Sequence, residues 1–333
     1  MGFLRRNWFL LLLTASALVA WGRPNWLAWT AHVEPRLIVG SALFLSAWSL
    51  NSRDLFHAFV RPMPAIWAVL ISYALVPFLA WLLGKWMPGE DFRIGLLIVA
   101  SVPCTVASSL IWTRLAGGND AVALLVSVLT TATSWLVTTA WLTFGSGTAV
   151  EVNGVAMMRG LFLVLVVPFT VGQGLRGIRF LAQSADRYKT VLGVLSRLLI
   201  LTVILKAMAN VFAELHERTG AMPVWALFVS ASAAAGLHSL ALYVGLGTSR
   251  LWKFARAEQI AVGFSCSQKT LPVSLYLAST YFAGYPLALV PIAIYHVGQL
   301  FIDTWVANWL NSTAPPAPAV KGDTEVEIEW EET

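Results

Sequence analysis

Two short polar stretches interrupt long apolar runs, and their residue types set the chemistry open to this chain. The first is Ser101-Val102-Pro103-Cys104-Thr105. The second is Ser265-Cys266-Ser267-Gln268-Lys269-Thr270, followed by Pro272. Proline removes a backbone N–H and clashes with the preceding turn, and hydroxyl side chains satisfy the backbone groups so freed. Each stretch therefore predicts a helix break, marked by Pro103 and Cys104 in one and by Cys266 and Pro272 in the other. Half-helix N-termini near Thr105 and Gln268 would offer unpaired N–H groups and partial positive charge to an anion. Thr105, Ser267, Lys269 and Thr270 are the side chains at hand for a substrate or a coupling proton. Unwound carbonyls and nearby hydroxyls suit a hard cation such as Na⁺, and Ser108 and Ser109 follow the first break. Ser127, Thr131, Ser134 and Thr138 are spaced by four, three and four, which is one polar helical face. That face lines a cation site or packs helices through small hydroxyls, and the spacing alone leaves both open.

The elements that must position these residues are membrane spans. Of 333 residues, 58% are hydrophobic and 12% charged, against about 45–50% and 25% in soluble chains. That balance excludes a soluble enzyme, a disordered chain and a fibrous repeat. A span takes about 20 residues, and ten apolar segments follow: 7–22, 36–50, 63–84, 93–115, 119–144, 155–175, 190–213, 222–247, 253–281 and 285–310. The first resembles a signal peptide, but removing it would leave an odd count. Nucleic acid is not an expected partner, because the cations sit in short loops between apolar runs. With the N-terminus in the cytoplasm, thirteen cations lie inside, six outside and three within spans. This predicts a multi-pass protein of a plasma or bacterial inner membrane with both termini cytoplasmic. The six acids after Asn311, with Pro315, Pro316 and Pro318, predict a solvated tail over 312–333. Cys104 and Cys266 have neither disulfide-framework nor metal-ligand spacing.

The outside connection from Gly145 to Gly154 divides ten spans into five and five. Because five is odd, the second half (about 155–311) enters upside down relative to the first (about 1–145). That is the layout of an inverted-repeat secondary transporter. The two breaks fall in the fourth span of each half, Cys104 and Cys266 mark matching positions, and the broken helices are expected to cross, bringing those cysteines close. The fold class is therefore an all-α polytopic membrane protein of ten helices.

These stretches resemble a known family. Pro103-Cys104-Thr105-Val106-Ala107-Ser108-Ser109 with Leu115-Ala116-Gly117-Gly118-Asn119 is similar to the fourth-helix motif of the bile acid:sodium symporter superfamily. Phe264-Ser265-Cys266-Ser267-Gln268-Lys269-Thr270-Leu271 resembles the ninth-helix motif of its bile-acid-symporter-like bacterial branch. Tyr295-His296-Val297-Gly298-Gln299-Leu300 and Arg6-Asn7-Trp8-Phe9 fit that branch too. The resemblance covers residues 3–311. It implies a panel (first, second, sixth and seventh helices), a core of the other six, and transport of an organic anion by alternating access. It also implies cation-binding roles for Ser108, Ser127 and Gln268, with Ser109 and Thr131 beside them. The family's sodium-binding carboxylate falls near Phe264, Ser109 stands for an Asn, and Lys269 replaces another. Losing a carboxylate and gaining an ammonium implies transport with little sodium dependence.

Lys269 then reads in two ways. It is a tethered cation that holds the crossing through carbonyls and hydroxyls or sheds its proton during the cycle, or it is half of a structural pair with Asp303. Asp303 can alternatively pair with Lys206, and Arg197 can snorkel to the membrane surface. His238 and His296 are packing residues or members of a proton relay. A membrane-embedded enzyme would need a nucleophile–base motif around Cys104 or Cys266, and the sequence has none. A photoreceptor with a Lys Schiff base sits poorly with ten spans and two breaks. The residues name no particular anion and set no oligomeric state.

Overall fold

The computed structural model describes residues 22–51, 59, 62–147, 153–217 and 224–313, with isolated positions 12, 15, 18 and 19. The predicted first span, the connection over 148–152 and the tail from 314 onward lie outside the described residues.

Every described element is helical. A short 3₁₀ segment, Pro24–His32, precedes α1 (Pro35–Ser49), α2 (Met63–Trp86), α3 (Glu90–Ser101) and α4 (Val106–Leu115). Then follow α5 (Asp120–Gly145), α6 (Gly154–Leu175), the short α7 (Arg179–Arg187), α8 (Lys189–Glu217) and α9 (Val224–Leu251). The chain closes with α10 (Arg256–Ser267), α11 (Leu271–Tyr281) and α12 (Pro286–Ser312). Among the described residues, six helices are long and apolar enough to cross a membrane, and α3 with α4, bent by 68°, makes a seventh. α1 has only 15 residues, short of a full span. α10 and α11 have 12 and 11, and the three residues 268–270 part them.

Local chemistry explains where the helices stop. Gly117 takes φ +75 after α4, and the Gly118 N–H returns to Thr113 O at 2.7 Å, a C-cap that glycine adopts without Cβ strain. Asn119 then caps α5 by accepting from the N–H groups of Ala121 and Val122. The run Leu115 to Asn119 is thus a stop and a start fused into one turn. Within α2 and α6, five-residue π turns (Ile71–Leu75 and Phe162–Val166) come just before Pro77 and Pro168. A proline inside a helix strips a carbonyl of its donor, and a π turn absorbs the misfit.

α1 packs on α6 and α8, whereas α9 packs on α10 and α12, and α5 on α3, α4 and α10. One apolar cluster unites buried residues of nearly all these helices, from Val39 to Tyr295. The α9–α10 approach depends on glycine: a Cβ at Gly245 would stand 2.6 Å from Cys266 Sγ and 3.0 Å from Gly263 Cα.

Candidate functional site

The two breaks touch. Backbone from Val102 to Thr105 is unwound between α3 and α4, and Gln268 to Thr270 between α10 and α11. The Thr270 N–H donates to Pro103 O at 3.1 Å. A second helix begins at each break, with Thr105 and Thr270 at the N-cap positions, neither of them making a side-chain capping bond. The latter corrects the expected start near Gln268, which instead ends α10. Cys266 and Pro272 also prove to flank the second break. The Cys266 thiol donates to Gly263 O and Ala241 O, so it belongs to the last turn of α10. Pro272 sits in the first turn of α11, where a missing N–H costs nothing.

At the first break, hydroxyls of α5 satisfy the loose backbone. Thr130 Oγ1 accepts the Cys104 N–H at 3.2 Å and Thr138 Oγ1 donates to Ser101 O at 2.7 Å, while Ser127 Oγ lies 3.0 Å from Ala123 O of its own helix and 3.4 Å from Thr105 O, so its one hydrogen is shared between helix and break. The predicted polar face of α5 is buried, but its members divide their work. Thr131 and Ser134 donate to carbonyls of their own helix, Ser127 O and Thr131 O. Ser109 and Ser265 join hydroxyls at 2.8 Å, a direct link between α4 and α10. Ser108 is partly exposed, one turn along, and donates to Thr105 Oγ1 at 3.3 Å.

At the second break, α12 does the same work with an amide and a phenol. Gln299 accepts the Lys269 N–H at 3.1 Å and donates to Lys269 O at 3.2 Å, standing in for a neighbouring strand. Tyr295 OH donates to Ser267 O at 2.7 Å. Gln268 has extended backbone, so it and Lys269 point to opposite sides, as successive residues of a strand do.

Lys269 is 1% exposed. Its Nζ donates to Ser72 O at 2.8 Å, Ser72 Oγ at 2.9 Å and Val102 O at 3.2 Å, which uses all three donors of an ammonium. The receptor is set by sequence. In the π turn the Val76 N–H bonds to Ile71 O, and the next residue, Pro77, has no N–H, so Ser72 O is left for the lysine. Among the described residues no carboxylate pairs with Lys269. The Tyr73 ring centroid lies 5.5 Å from Nζ.

Asp303 lies on the other side, fully buried, and corrects both ion pairs expected for it. One carboxylate oxygen accepts from Gln268 Nε2 at 2.6 Å and the other lies 2.8 Å from His238 Nε2. Lys206 instead donates to Ala31 O and Val33 O at a helix end. His238 Nδ1 faces Ser267 O at 3.2 Å, and a carbonyl only accepts, so Nδ1 carries a proton. One further proton must then sit between Nε2 and the carboxylate, giving either imidazolium with carboxylate or imidazole with carboxylic acid. Arg197 is exposed on α8. His296 lies 3.0 Å from Gln299 Nε2.

The arrangement fits a cation poorly. Gln268 Oε1 is buried without a partner and could serve one ion as a ligand. But Phe264, where the resemblance places a carboxylate, packs in an apolar cluster with Leu242, Ile260, Val306, Ala307 and Leu310. Among the described residues no three His, Cys, Asp or Glu side chains gather in a metal-binding group. Sequence reading missed Ser72, Thr130, Ser265 and the role of Gln299. A signal existed for the last: Tyr295, Gln299 and Asp303 recur every four residues on α12, and all three reach the second break.

The SBF-like CPA transporter family model matches residues 7–312. Similar curated proteins include the sodium/bile acid cotransporter 7 of Danio rerio, 27% identical over 93% of this chain and 98% of its own length. The protein of the same name in Mus musculus is 25% identical over 92% and 93%. The uncharacterized protein YbaS of Bacillus subtilis is 26% identical over 78% and 81%.

Proposed function

The chain belongs to the SBF-like CPA transporter family, and from that premise we propose that it carries an organic anion across the membrane by alternating access, with Lys269 in place of a bound sodium ion. The observation that carries this reading is the bonding of Lys269 Nζ to Ser72 and Val102, together with Phe264 in an apolar cluster. A fixed ammonium supplies the charge that a cation would bring, and a second cation beside it would meet repulsion enlarged by burial.

In this reading the chain has ten helices in two inverted halves. α3–α4 is the broken fourth and α10–α11 the broken ninth. Both termini are cytoplasmic, in the cell membrane. α1, α6 and α8, together with the expected first span, move as a panel against the other six helices, and the crossing presents Thr105, Ser108, Ser267 and Thr270 to the anion. The packing of α1 with α6 and α8 supports the panel. The contact between the breaks supports the crossing. A second coupling is favoured by one specific pair: the proton between His238 and Asp303 is held beside the break, so a proton-coupled cycle is the alternative to an uncoupled one.

The test is uptake of a labelled bile acid into proteoliposomes, with and without a sodium gradient. Sodium-independent uptake, lost in Lys269→Ala protein that still folds and inserts, is the expected result. Uptake that rises steeply with external Na⁺ and is indifferent to Lys269→Ala would overturn the reading. Cysteine placed at Thr333 should resist an impermeant label applied outside intact cells.

A further inference from the structure

The segment joining α6 to α8 is strongly basic. It holds Arg176, Arg179, Arg187 and Lys189 against the single acid Asp186. Arg176 is not free: its side chain is 5% exposed and bridges Trp48 O at 2.9 Å and Asp186 at 2.7 Å. That clamp fixes α7 against the end of α1, with Ala185 buried beneath it. The opposite face of α7 carries Phe180 and Arg187, seven residues apart and both exposed, with Arg179 and Lys189 exposed beside them. Phe180 is 74% exposed, an expensive position for a phenyl ring in water.

The neighbouring spans place this face at a definite depth. On α8 the exposed residues Val191, Leu195 and Leu198 form one helical stripe, and Tyr188 heads it. On α6 the exposed residues Leu163, Val167 and Val171 form another, ending just before Arg176. Apolar stripes on the outside of membrane helices face lipid. From Leu198 to Tyr188 the helix rises about 15 Å, half the thickness of a hydrocarbon core of about 30 Å. The Arg187 guanidinium lies 5.6 Å from the Tyr188 ring centroid, at the level where lipid phosphates lie and where tyrosine rings concentrate. Three cations with no ion-pair partner among the described residues and an outward phenyl ring thus meet at the boundary between tails and headgroups.

We propose that the α7 segment is a binding site for anionic phospholipid, with Arg179, Arg187 and Lys189 on the headgroup phosphate and Phe180 among the upper acyl carbons. The clamp by Arg176 holds the cations in place before a lipid arrives. The lipid in turn joins α6 to α8 across their connection. This site is independent of the anion path at the breaks and of the coupling ion.

The test uses the purified full-length protein in detergent, titrated separately with phosphatidylglycerol, phosphatidylcholine and inorganic phosphate while its melting temperature is followed. Phosphatidylglycerol should raise the midpoint, and the other two should not. In the triple variant Arg179→Gln, Arg187→Gln, Lys189→Gln, the concentration needed should rise about 100-fold, from about 5-fold per cation. Lys85→Gln, at the far end of α2, should leave it unchanged. A shift of equal size in the triple variant, or an equal response to phosphatidylcholine, would overturn the proposal. A response to inorganic phosphate equal to that of phosphatidylglycerol would also overturn it, because the site would then be a free-anion site. Should the triple variant unfold, Ser184→Cys carrying a fluorophore reports directly. Quenching by brominated phosphatidylglycerol beyond that by brominated phosphatidylcholine is expected, and equal quenching would refute the lipid assignment.

Discussion

The two breaks share a geometry and differ in what satisfies them. At the first, unwound backbone is met by the neutral hydroxyls of Thr130, Thr138 and Ser127 on α5. At the second, the partners are an amide, a phenol and a histidine–carboxylate pair on α9 and α12, and the break contributes its own ammonium. A neutral hydroxyl cradle tolerates the loss of a member, since each bond is worth about 1 kcal/mol. A buried charged network does not, because removing one partner strands the rest.

The largest effect should come from Asp303→Leu, which leaves Gln268 Nε2 without an acceptor and His238 Nε2 without a partner. A loss of about 3–5 kcal/mol in unfolding stability is expected, read as a depressed midpoint in detergent. Asp303→Asn sharpens the same contrast. Its amide can donate to a neutral His238 Nε2 while its oxygen still accepts from Gln268, so the loss should stay near 1 kcal/mol. Equal losses in the two variants would show that the pairing deduced for His238 is wrong. Thr130→Val removes the acceptor of the Cys104 N–H with little change of volume, at about 1–2 kcal/mol. A loss as large as that of Asp303→Leu would break the comparison between the two regions. Ser72→Ala is expected to have the smallest effect, below about 1 kcal/mol, because Ser72 O still binds Lys269 when the hydroxyl is gone. Thermal melts of the variants side by side measure the whole series.

How much of this was legible beforehand depends on whether an interaction involves side-chain type or only the chain's path. Pro103 and the polar run around Lys269 announced both breaks, because an apolar span has few other reasons to carry them. The helical class and the spans from α2 onward follow from composition and length. The receptor of Lys269 could not be read from polarity, since two of its three oxygens are carbonyls. Pro77 was only a partial clue: in a regular helix it frees Tyr73 O, and Ser72 O is left without a donor only because the turn is π. The pair of His238 with Asp303 joins residues 65 apart, and the α12 stripe of Tyr295, Gln299 and Asp303 was its trace. Cys266 misled because its type suggested a break, whereas its thiol closes a helical turn.

The bond from Lys269 Nζ to Val102 O spans 167 residues of sequence, and this has a consequence for how the chain is made. At about 5–20 residues per second, the ribosome needs about 8–33 s to reach the lysine after the carbonyl has been synthesised. Through that interval the first half has already threaded into the bilayer with Val102 O and Ser72 O open in an apolar medium. Water, lipid headgroups or the insertion machinery must keep those oxygens company until the second half arrives. Truncation of the nascent chain before residue 269 should therefore leave a first half that is inserted but readily extracted or degraded, and extension by a few dozen residues should lock it.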